Sequence, residues 1–319
     1  MLHILLNSFL RNLRFEVRGG EYYNNYQHFS SGMVLSSYLL VDIRNSVFLF
    51  CSSTIGGGIL CVNPDASLFL IGNRFINCSA TTIGTNFRND VSGGAFVFGG
   101  KGLVADKNCF VQCRGMGKGF VFHSDTTVYG NFTLSHVNDC GLQGQGEGTV
   151  VMDHGNQYIS HINSSSNKGN VYFVSGAFGT YVTGFLLSYS AIISNSLSQT
   201  ILGFGTHSLP NPLPVMNLLF ISNSPTVALL ETFSSPVRVY DSIFINNQNG
   251  FYRANNGILY VKNCLSDSTY GGLVTIESSS SNVIGITTFH IAIDACGNIP
   301  TVSQQRPKFL YLYIYQYCV

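Results

Sequence analysis

The sequence is poor in charge: only 10% of its 319 residues are Asp, Glu, Lys or Arg, whereas a soluble domain usually carries about a quarter. Low charge is typical of membrane proteins, yet no run reaches the ~18 consecutive apolar residues that a spanning helix needs. The apolar runs at residues 1–10 and 309–319 are too short. We therefore expect no transmembrane helix. Residues 1–10 fit either a first strand or the apolar part of a signal peptide.

Tryptophan and basic clusters are also absent. A surface that binds the phosphates of nucleic acid needs a Lys/Arg patch, and the net charge here is only +1, so we predict no nucleic-acid partner. What the chain does contain is Gly (34), Phe (24) and Tyr (17), mixed with Asn, Ser and Thr. Short apolar runs separated by these residues are typical of strands joined by turns and disfavour helices.

A short repeat organises the chain: an apolar residue is followed three positions later by Cys or Asn, about every 27 residues, within the range of solenoid repeats. Gly-rich turns at residues 56–59 and 93–96 each open a short apolar strand. The Cys/Asn positions form a structural ladder in the predicted coils, consisting of Cys51, Cys78, Cys113, Cys140, Asn163, Asn195, Asn223, Asn247, Cys264 and Cys296.

This period predicts an all-β fold, a right-handed parallel β-helix of about ten coils, in which stacked coils bury apolar columns that no single coil can bury. A β-sandwich with chance periodicity is the alternative. We divide the chain into an N-terminal cap or truncated first coils (1–40), the β-helix repeats (41–299), and a C-terminal loop with a capping strand (300–319). In the turns, Asn can bond the backbone, and Cys fits as a small buried side chain.

The nine cysteines could form disulfides or a ladder of free thiols. Equivalent positions on stacked strands lie about 4.8 Å apart, while the Cβ atoms of a disulfide lie about 3.8 Å apart. We therefore favour free thiols in the turn column. No pair of ligand spacing indicates a zinc site, and we expect no metal and no cofactor.

The repeats resemble the polymorphic membrane protein (Pmp) repeats of chlamydiae and the Pmp-like β-helix surface families of trichomonads, which alternate GGA-[ILV] with FxxN. The FxxN element is matched at residues 220–223 and 244–247, and the first element is similar to residues 93–95. The resemblance, over about residues 48–296, implies a non-catalytic cell-surface or secreted adhesin. Its partner would be an extracellular protein or a glycan.

The alternative function is that of a carbohydrate-active, pectinase-like enzyme, a lyase or a glycoside hydrolase, since such enzymes also use β-helices. Acid–base cleavage needs clustered carboxylates. If the Gly-rich turns align consecutive coils, His123, Asp125, Asp153 and His154 meet on one face. Because acids are otherwise few and scattered, we predict no enzymatic activity. Possible N-glycosylation sites are Asn77 and Asn131. Asn163 also begins a sequon, but its ladder assignment predicts a poor acceptor.

Overall fold

The computed structural model describes residues 14–18, 27–81, 93–115, 121–141, 149–168, 174–175, 184–196, 200–205, 212–233, 236–255, 257–267, 274–278 and 296. All regular secondary structure in these ranges is β-strand. The strands are β1 (Arg14–Arg18), β2 (Gln27–Phe29), β3 (Met33–Val34), β4 (Leu40–Arg44), β5 (Ser46–Leu49), β6 (Ser52–Ser53), β7 (Ile59–Val62), β8 (Ser67–Ile71), β9 (Arg74–Ile76), β10 (Ser79–Ala80), β11 (Phe96–Asp106), β12 (Cys109–Val111), β13 (Phe122–Thr133), β14 (His136–Asn138), β15 (Val150–Asp153), β16 (Asn156–Ser160), β17 (Asn163–Ser165), β18 (Val174–Ser175), β19 (Phe185–Ser188), β20 (Ala191–Ile193), β21 (Thr200–Gly205), β22 (Leu213–Met216), β23 (Leu219–Ile221), β24 (Ala228–Phe233), β25 (Val237–Tyr240), β26 (Ile243–Ile245), β27 (Gly250–Asn255), β28 (Leu259–Lys262), β29 (Leu265–Ser266) and β30 (Val274–Ser278).

These strands stack as a parallel β-solenoid, which confirms the predicted fold class. Face A follows the order β1-β4-β8-β11-β13-β16-β19-β22-β25-β28-β30, and face B is a 10-stranded sheet in the order β2-β5-β9-β12-β14-β17-β20-β23-β26-β29. Face C contains β3, β7, β15 and the first halves of β11 and β13, together with the 4-stranded sheet β18-β21-β24-β27. The chain therefore passes from face A to face B to face C in each coil.

The core is the interior of this solenoid, filled by residues from alternate positions of each strand. On face B the middle residue of each three-residue strand from β9 onward points inward, and the Phe48 and Phe75 rings stack with centroids 4.5 Å apart. Phe110 continues the stack 5.3 Å from Phe75, and Phe220 and Phe244 stack 4.8 Å apart farther along. The apolar repeat position of the sequence is thus the inward column of face B.

Left-handed backbone residues mark both ends of the face B strands. The first corner, between faces A and B, has positive φ at Asn45, Gly72, Lys107, Leu134, His161, Tyr189, Asn217, Asp241 and Asn263. The second corner, after face B, has it at Phe50, Asn77, Gln112, Asp139, Ser166, Ser194, Ser222 and Asn246. This conformation costs an L-residue about 1–2 kcal/mol, so the corners need stabilising contacts from the residues that follow.

The ladder predicted from the Cys/Asn repeat stabilises the second corner. Each side chain donates to the carbonyl of the inward residue one coil earlier, as Cys78 Sγ does to Phe48 O at 3.4 Å and Asn223 Nδ2 to Ile192 O at 2.8 Å. Asn side chains also accept: the Asn195 N–H donates to Asn223 Oδ1 at 3.0 Å. Cys and Asn therefore replace each other because both present a short donor that reaches the same carbonyl.

The assignment of Asn163 to this ladder is wrong. Asn167 takes the place instead: its Oδ1 accepts from the Cys140 N–H at 2.9 Å, and its Nδ2 donates to Val137 O at 3.0 Å. Asn163 is the first residue of β17 and alternates to the outer side of face B. The Ser-rich run after Asn163 makes either residue compatible with the repeat. In the structure the left-handed second-corner residue is Ser166, which directly precedes Asn167.

A second column, at the first corner, was not predicted, and it contains Cys264. Asn73 and Asn108 bond the neighbouring coils there, as in the Ser46 N–H to Asn73 Oδ1 bond of 3.0 Å and the Asn73 N–H to Asn108 Oδ1 bond of 2.9 Å. Cys264 follows β28 of face A and donates to Val239 O at 3.6 Å. Cys264 therefore lies at the first corner, and its assignment to the second-corner ladder is wrong.

At the start of face C, the Gly-rich turns allow the backbones of neighbouring coils to approach each other closely. The Gly57 N–H donates to Gly93 O at 2.9 Å, and a Cβ on Gly57 would lie 2.1 Å from the Gly94 carbonyl oxygen. No side chain fits that space, which explains why these turns repeat as glycine. The expected capping strand at residues 300–319 and the apolar run at residues 1–10 lie outside the described residues.

Candidate functional site

Four side chains from the alternative enzymatic prediction meet on face C. His123 and Asp125 lie on β13, Asp153 ends β15, and His154 follows it directly. The two strands pair in parallel with Asp125 opposite Asp153 and His123 opposite Val151. Sequence alignment of the Gly-rich turns thus placed these residues correctly on neighbouring coils.

The four residues form two crossed His–Asp contacts, which we call the His–Asp cluster. His154 Nδ1 lies 2.8 Å from Asp125 Oδ1, and His123 Nε2 lies 3.4 Å from Asp153 Oδ2. Relative exposure is only 3% for His123, 9% for Asp125 and 8% for Asp153. Buried charges need such partners, because an unpaired carboxylate in a low-dielectric interior is costly.

Side chains that hydrogen-bond to the backbone hold the turn that carries His154. His154 has a left-handed φ of 57°, and Gly155 follows with a φ of 64°. The His154 carbonyl accepts from Thr126 Oγ1 at 3.1 Å and from Gln157 Nε2 at 3.0 Å. Because two side chains fix this carbonyl, the imidazole of His154 is held over Asp125 on the adjacent coil. A carboxylate that orients an imidazole is one arrangement for general acid–base catalysis.

The outer side of face A carries a different feature, a column of side chains in register across successive coils. We call it the face A column; its members are Phe69, Val104, Asn131, Tyr158, Leu186, Pro214, Arg238 and Tyr260. All are half-buried or exposed, and Tyr158 is 42% exposed. Neighbouring members are spaced by the strand separation of about 4.8 Å. The column is a flat strip of aromatic, aliphatic and amide groups.

An arginine–tyrosine cluster lies toward the β30 side of this column. The Arg238 guanidinium lies 5.2 Å from the ring centre of Tyr260 and 5.9 Å from that of Tyr240. Its Nη2 lies 2.9 Å from Glu277 Oε1. A hydrogen bond with Tyr240 is the largest of several contacts that raise the pKa of Arg238. The cluster therefore presents an ion-paired guanidinium flanked by two aromatic rings.

Charges concentrate at the other end of face A, on β1 and β4. Asp42 is buried and lies 2.7 Å from Arg44 Nε, 3.7 Å from Arg18 Nη2 and 4.0 Å from Arg14 Nη2. Arg18 also contacts Glu16. Because a buried carboxylate needs a partner, we assign the three half-exposed guanidinium groups to the neutralisation of Asp42.

The cysteines divide into buried thiols and one disulfide. Cys51, Cys61, Cys78, Cys113, Cys140 and Cys264 are buried thiols, as favoured for the turn column. Burial raises the pKa of Cys61 to about 12 and that of Cys264 to about 11, and it also raises the pKa of Cys113. Thiolates are the reactive form, so burial keeps Cys61, Cys113 and Cys264 in the unreactive thiol form.

Cys296 forms a disulfide with Cys109, a sequence separation of 187. Its assignment to the ladder as a free thiol is therefore wrong. Cys109 is the first residue of β12 and lies on the outer side of face B, opposite the inward Phe110. The sequence carries no signal for this bond, because Cys109 does not belong to the Cys/Asn repeat.

The predicted glycosylation sites lie on different surfaces. Asn131 belongs to the face A column and is half-buried, and Asn77 is a half-buried, left-handed residue of the second corner. In both positions the side chain is on the outside of the solenoid. Among the described residues, no group of three or more His, Cys, Asp or Glu side chains is arranged to hold a metal ion.

Asn167 and the first-corner column are the functional positions that sequence reasoning missed. A signal for the second was present: an Asn or Ser stands five residues before many ladder residues, as Asn73 does before Cys78 and Asn108 before Cys113. This signal is missing at Asn167, because the first-corner position five residues before it is Ile162.

Comparison with known proteins found no matching family model, no similar curated protein and no similar solved structure. In the described ranges there is also no helix of the length and apolarity needed to cross a membrane. The contacts within the chain are therefore the basis for any functional assignment.

Proposed function

We propose that this protein is a non-catalytic, cell-surface or secreted β-solenoid that binds an extracellular protein or glycan, in the manner of an adhesin. The face A column is the observation that carries the proposal. Eight consecutive outward positions from Phe69 to Tyr260 combine aromatic rings, an amide and a guanidinium in one straight strip. Aromatic and Arg side chains supply most of the binding energy in protein interfaces.

Two further features support an extracellular role. The Cys109–Cys296 disulfide is of a kind that persists in oxidising compartments and is rare in the cytosol. The Pmp-like resemblance of the repeats points to surface proteins as well. Both agree with a solenoid that offers a long, flat contact surface.

The His–Asp cluster is better explained as structure than as catalysis. Three of its four residues are buried, whereas a general acid or base must come within hydrogen-bond reach of a substrate. Each carboxylate contacts an imidazole of the neighbouring coil. These pairs therefore fasten β13 to β15 on face C.

The binding proposal is tested on immobilised extracellular-matrix glycoproteins and on an array of defined oligosaccharides. We expect saturable binding by the wild type, and a Kd about tenfold or more higher for Tyr158→Ala and Tyr260→Ala, as for truncated interface hot spots. Phe50→Ala removes an exposed aromatic residue from the second corner and should bind as the wild type does. If all three variants bind equally, face A is not the ligand surface.

A polysaccharide-cleaving enzyme is the second candidate, favoured by the meeting of Asp125 and Asp153 on paired strands. Their strand spacing of about 4.8 Å is close to the ~5–5.5 Å carboxyl separation of retaining glycosidases. We expect no new reducing ends or unsaturated products from pectin and related polysaccharides. Cleavage that disappears in both Asp125→Asn and Asp153→Asn would establish the enzyme and refute the non-catalytic proposal.

A further inference from the structure

The β1 side of face A carries a concentration of charged side chains. We call it the β1–β4 charge cluster; it consists of Arg14, Glu16, Arg18, Asp42 and Arg44. The three residues from β1 alternate along the strand and lie on its outer side, while Phe15 and Val17 pack on the core. Parallel pairing places Glu16 beside Asp42 and Arg18 beside Arg44. Strand pairing thus brings together arginines from two separate stretches of the sequence.

The cluster holds more positive than negative charge. Three guanidinium groups face two carboxylates, so its net charge is +1. A guanidinium has five N–H donors and a carboxylate accepts about four hydrogen bonds, so donors exceed acceptors by about two to one. The side chains of Arg14 and Arg18 are 45% and 55% exposed, whereas that of Asp42 is 6% exposed. The donors are therefore open to an anion from solvent, while the carboxylate that they surround is not.

The charge cluster is continuous with the face A column. Asp42 pairs with Phe69, which is followed across the sheet by Val104 and Asn131. Tyr158 lies four strands from β4 in the face A order, about 19 Å at the usual strand spacing. A ligand that lies along the column therefore has one end against the arginines.

We propose that the β1–β4 charge cluster is the anion-binding subsite of face A, and that the ligand is an acidic glycan carrying carboxylate or sulfate groups. This inference rests on the proposed function, because it names the ligand class of the same surface. The guanidinium fork matches the geometry of a carboxylate or of a tetrahedral oxyanion. Sugar rings present C–H groups that pack on aromatic rings and hydroxyls that bond amides, and Phe69, Asn131 and Tyr158 supply both kinds of partner.

Two other anionic partners fit the cluster less well. A nucleic acid is bound through many closely spaced phosphates by a patch of Lys and Arg, whereas Glu16 and Asp42 stand between the arginines of this cluster. A peptide gains most of its binding energy from large side chains that enter pockets, whereas the adjoining column is a flat strip. An acidic glycan needs only a few cations and a flat surface.

The test is calorimetric titration with a heparin oligosaccharide, an oligogalacturonate and a neutral cello-oligosaccharide, each long enough to reach from the charge cluster to Tyr158. We expect at least one of the two acidic glycans to bind about tenfold or more tightly than the neutral one. Its affinity should fall as salt is added, because salt screens exposed charges. The tighter of the two acidic ligands identifies sulfate or carboxylate as the preferred group.

Variants of the cluster separate a binding role from a structural one. Arg14→Gln and Arg18→Gln should each raise the Kd of the acidic glycan by about tenfold, the usual effect of losing a charge-assisted hydrogen bond, without changing that of the neutral glycan. Glu16→Gln should lower the Kd by about threefold or more, because it removes a nearby negative charge. Lys101→Gln is the matched control, since Lys101 is an exposed cation paired with Asp65 outside the column, and it should bind as the wild type does.

Circular dichroism checks that each variant is folded; if Arg18→Gln is not, Arg14→Gln and Glu16→Gln carry the test. Equal Kd values for acidic and neutral glycans, or a loss in Lys101→Gln as large as that in Arg14→Gln, would overturn the inference and leave the ligand surface in place. Equally tight binding of a polyglutamate peptide or of single-stranded DNA would also overturn it. The proposed function fails on a different result, namely acidic-glycan binding that Tyr158→Ala leaves unchanged.

Discussion

Asn223 joins three coils through its side-chain amide and its own backbone N–H. Its Nδ2 donates to Ile192 O at 2.8 Å, and its Oδ1 accepts from the backbone N–H of Asn195 at 3.0 Å. Its own N–H donates to Asn247 Oδ1 at 3.0 Å. Because Asn223 is fully buried, water cannot replace these partners, and the ladder is a stability determinant at the level of single residues.

The replacement of Asn223 by Leu tests this role. Asn223→Leu leaves a buried carbonyl and a buried N–H without partners, each at about 1–3 kcal/mol. Asn223→Cys should cost less, since Cys140 holds the same ladder position and donates to Phe110 O at 3.6 Å. Urea midpoints measure the difference. Equal losses for Leu and Cys would show that the hydrogen bonds contribute little.

A neutral control for this experiment must avoid the special backbone positions. Asn249 is exposed, as its place outside the ladder suggests, but it has a φ of 65° and its amide donates to Pro225 O. Gln248 is exposed with an ordinary φ, and Gln248→Ala should change stability by under about 0.5 kcal/mol.

The buried thiols predict how stability depends on pH. The folded-state pKa of Cys61 is about 12, against an ordinary value of 9.0, so the unfolded chain loses this proton first as the pH rises. The stabilising contribution is complete below pH 9 and is lost as the pH rises through 12. We expect the urea midpoint to fall between pH 8 and pH 10.5, and to fall less in Cys61→Val. An identical fall in this variant would exclude Cys61 as a cause.

Among the structural elements, the short strands of face B carry the stacked Phe rings of the core. The Phe75 ring lies between those of Phe48 and Phe110. Phe75→Ala should therefore cost about 3–5 kcal/mol, the usual range for a buried Phe. Phe69→Ala, on the outer side of β8, removes the same atoms from a half-buried site and should cost clearly less. Comparable urea midpoints for the two variants would contradict the inward assignment of face B.

The strands were more predictable than the sites that they carry. The inward Phe column and the Cys residues of the ladder follow from a period in the sequence, because stacking repeats the same environment in every coil. The Asn163 assignment failed where a Ser-rich run weakened that period: β17 places Ser164 in the inward column. The Cys109–Cys296 bond joins two positions that do not repeat, and periodicity alone contains no information about such contacts.

At the scale of the whole molecule, the disulfide connects distant parts of a fold in which each coil otherwise contacts its neighbours. In chain-entropy terms, closing loops of 100 or more residues stabilises a protein by about 4–5 kcal/mol, and this bond spans 187 residues. We expect reduction, or Cys296→Ser, to lower the urea midpoint. Cys51→Ser changes a buried thiol of the ladder and serves as a comparison that leaves the disulfide intact. No change on reduction would mean that the bond constrains little in the native chain.

The two corner columns also divide each coil into a constant part and a variable part. The distance between columns is five residues from Asn73 to Cys78 and again from Ser242 to Asn247. The interval between neighbouring coils varies: it is 22 residues from Ile243 to Leu265, 24 from Asn223 to Asn247, and 35 from Asn73 to Asn108. All the difference in length therefore falls after the second corner. We therefore expect peptides inserted after the second corner to leave the stacking of the coils unchanged, as differences in coil length do here.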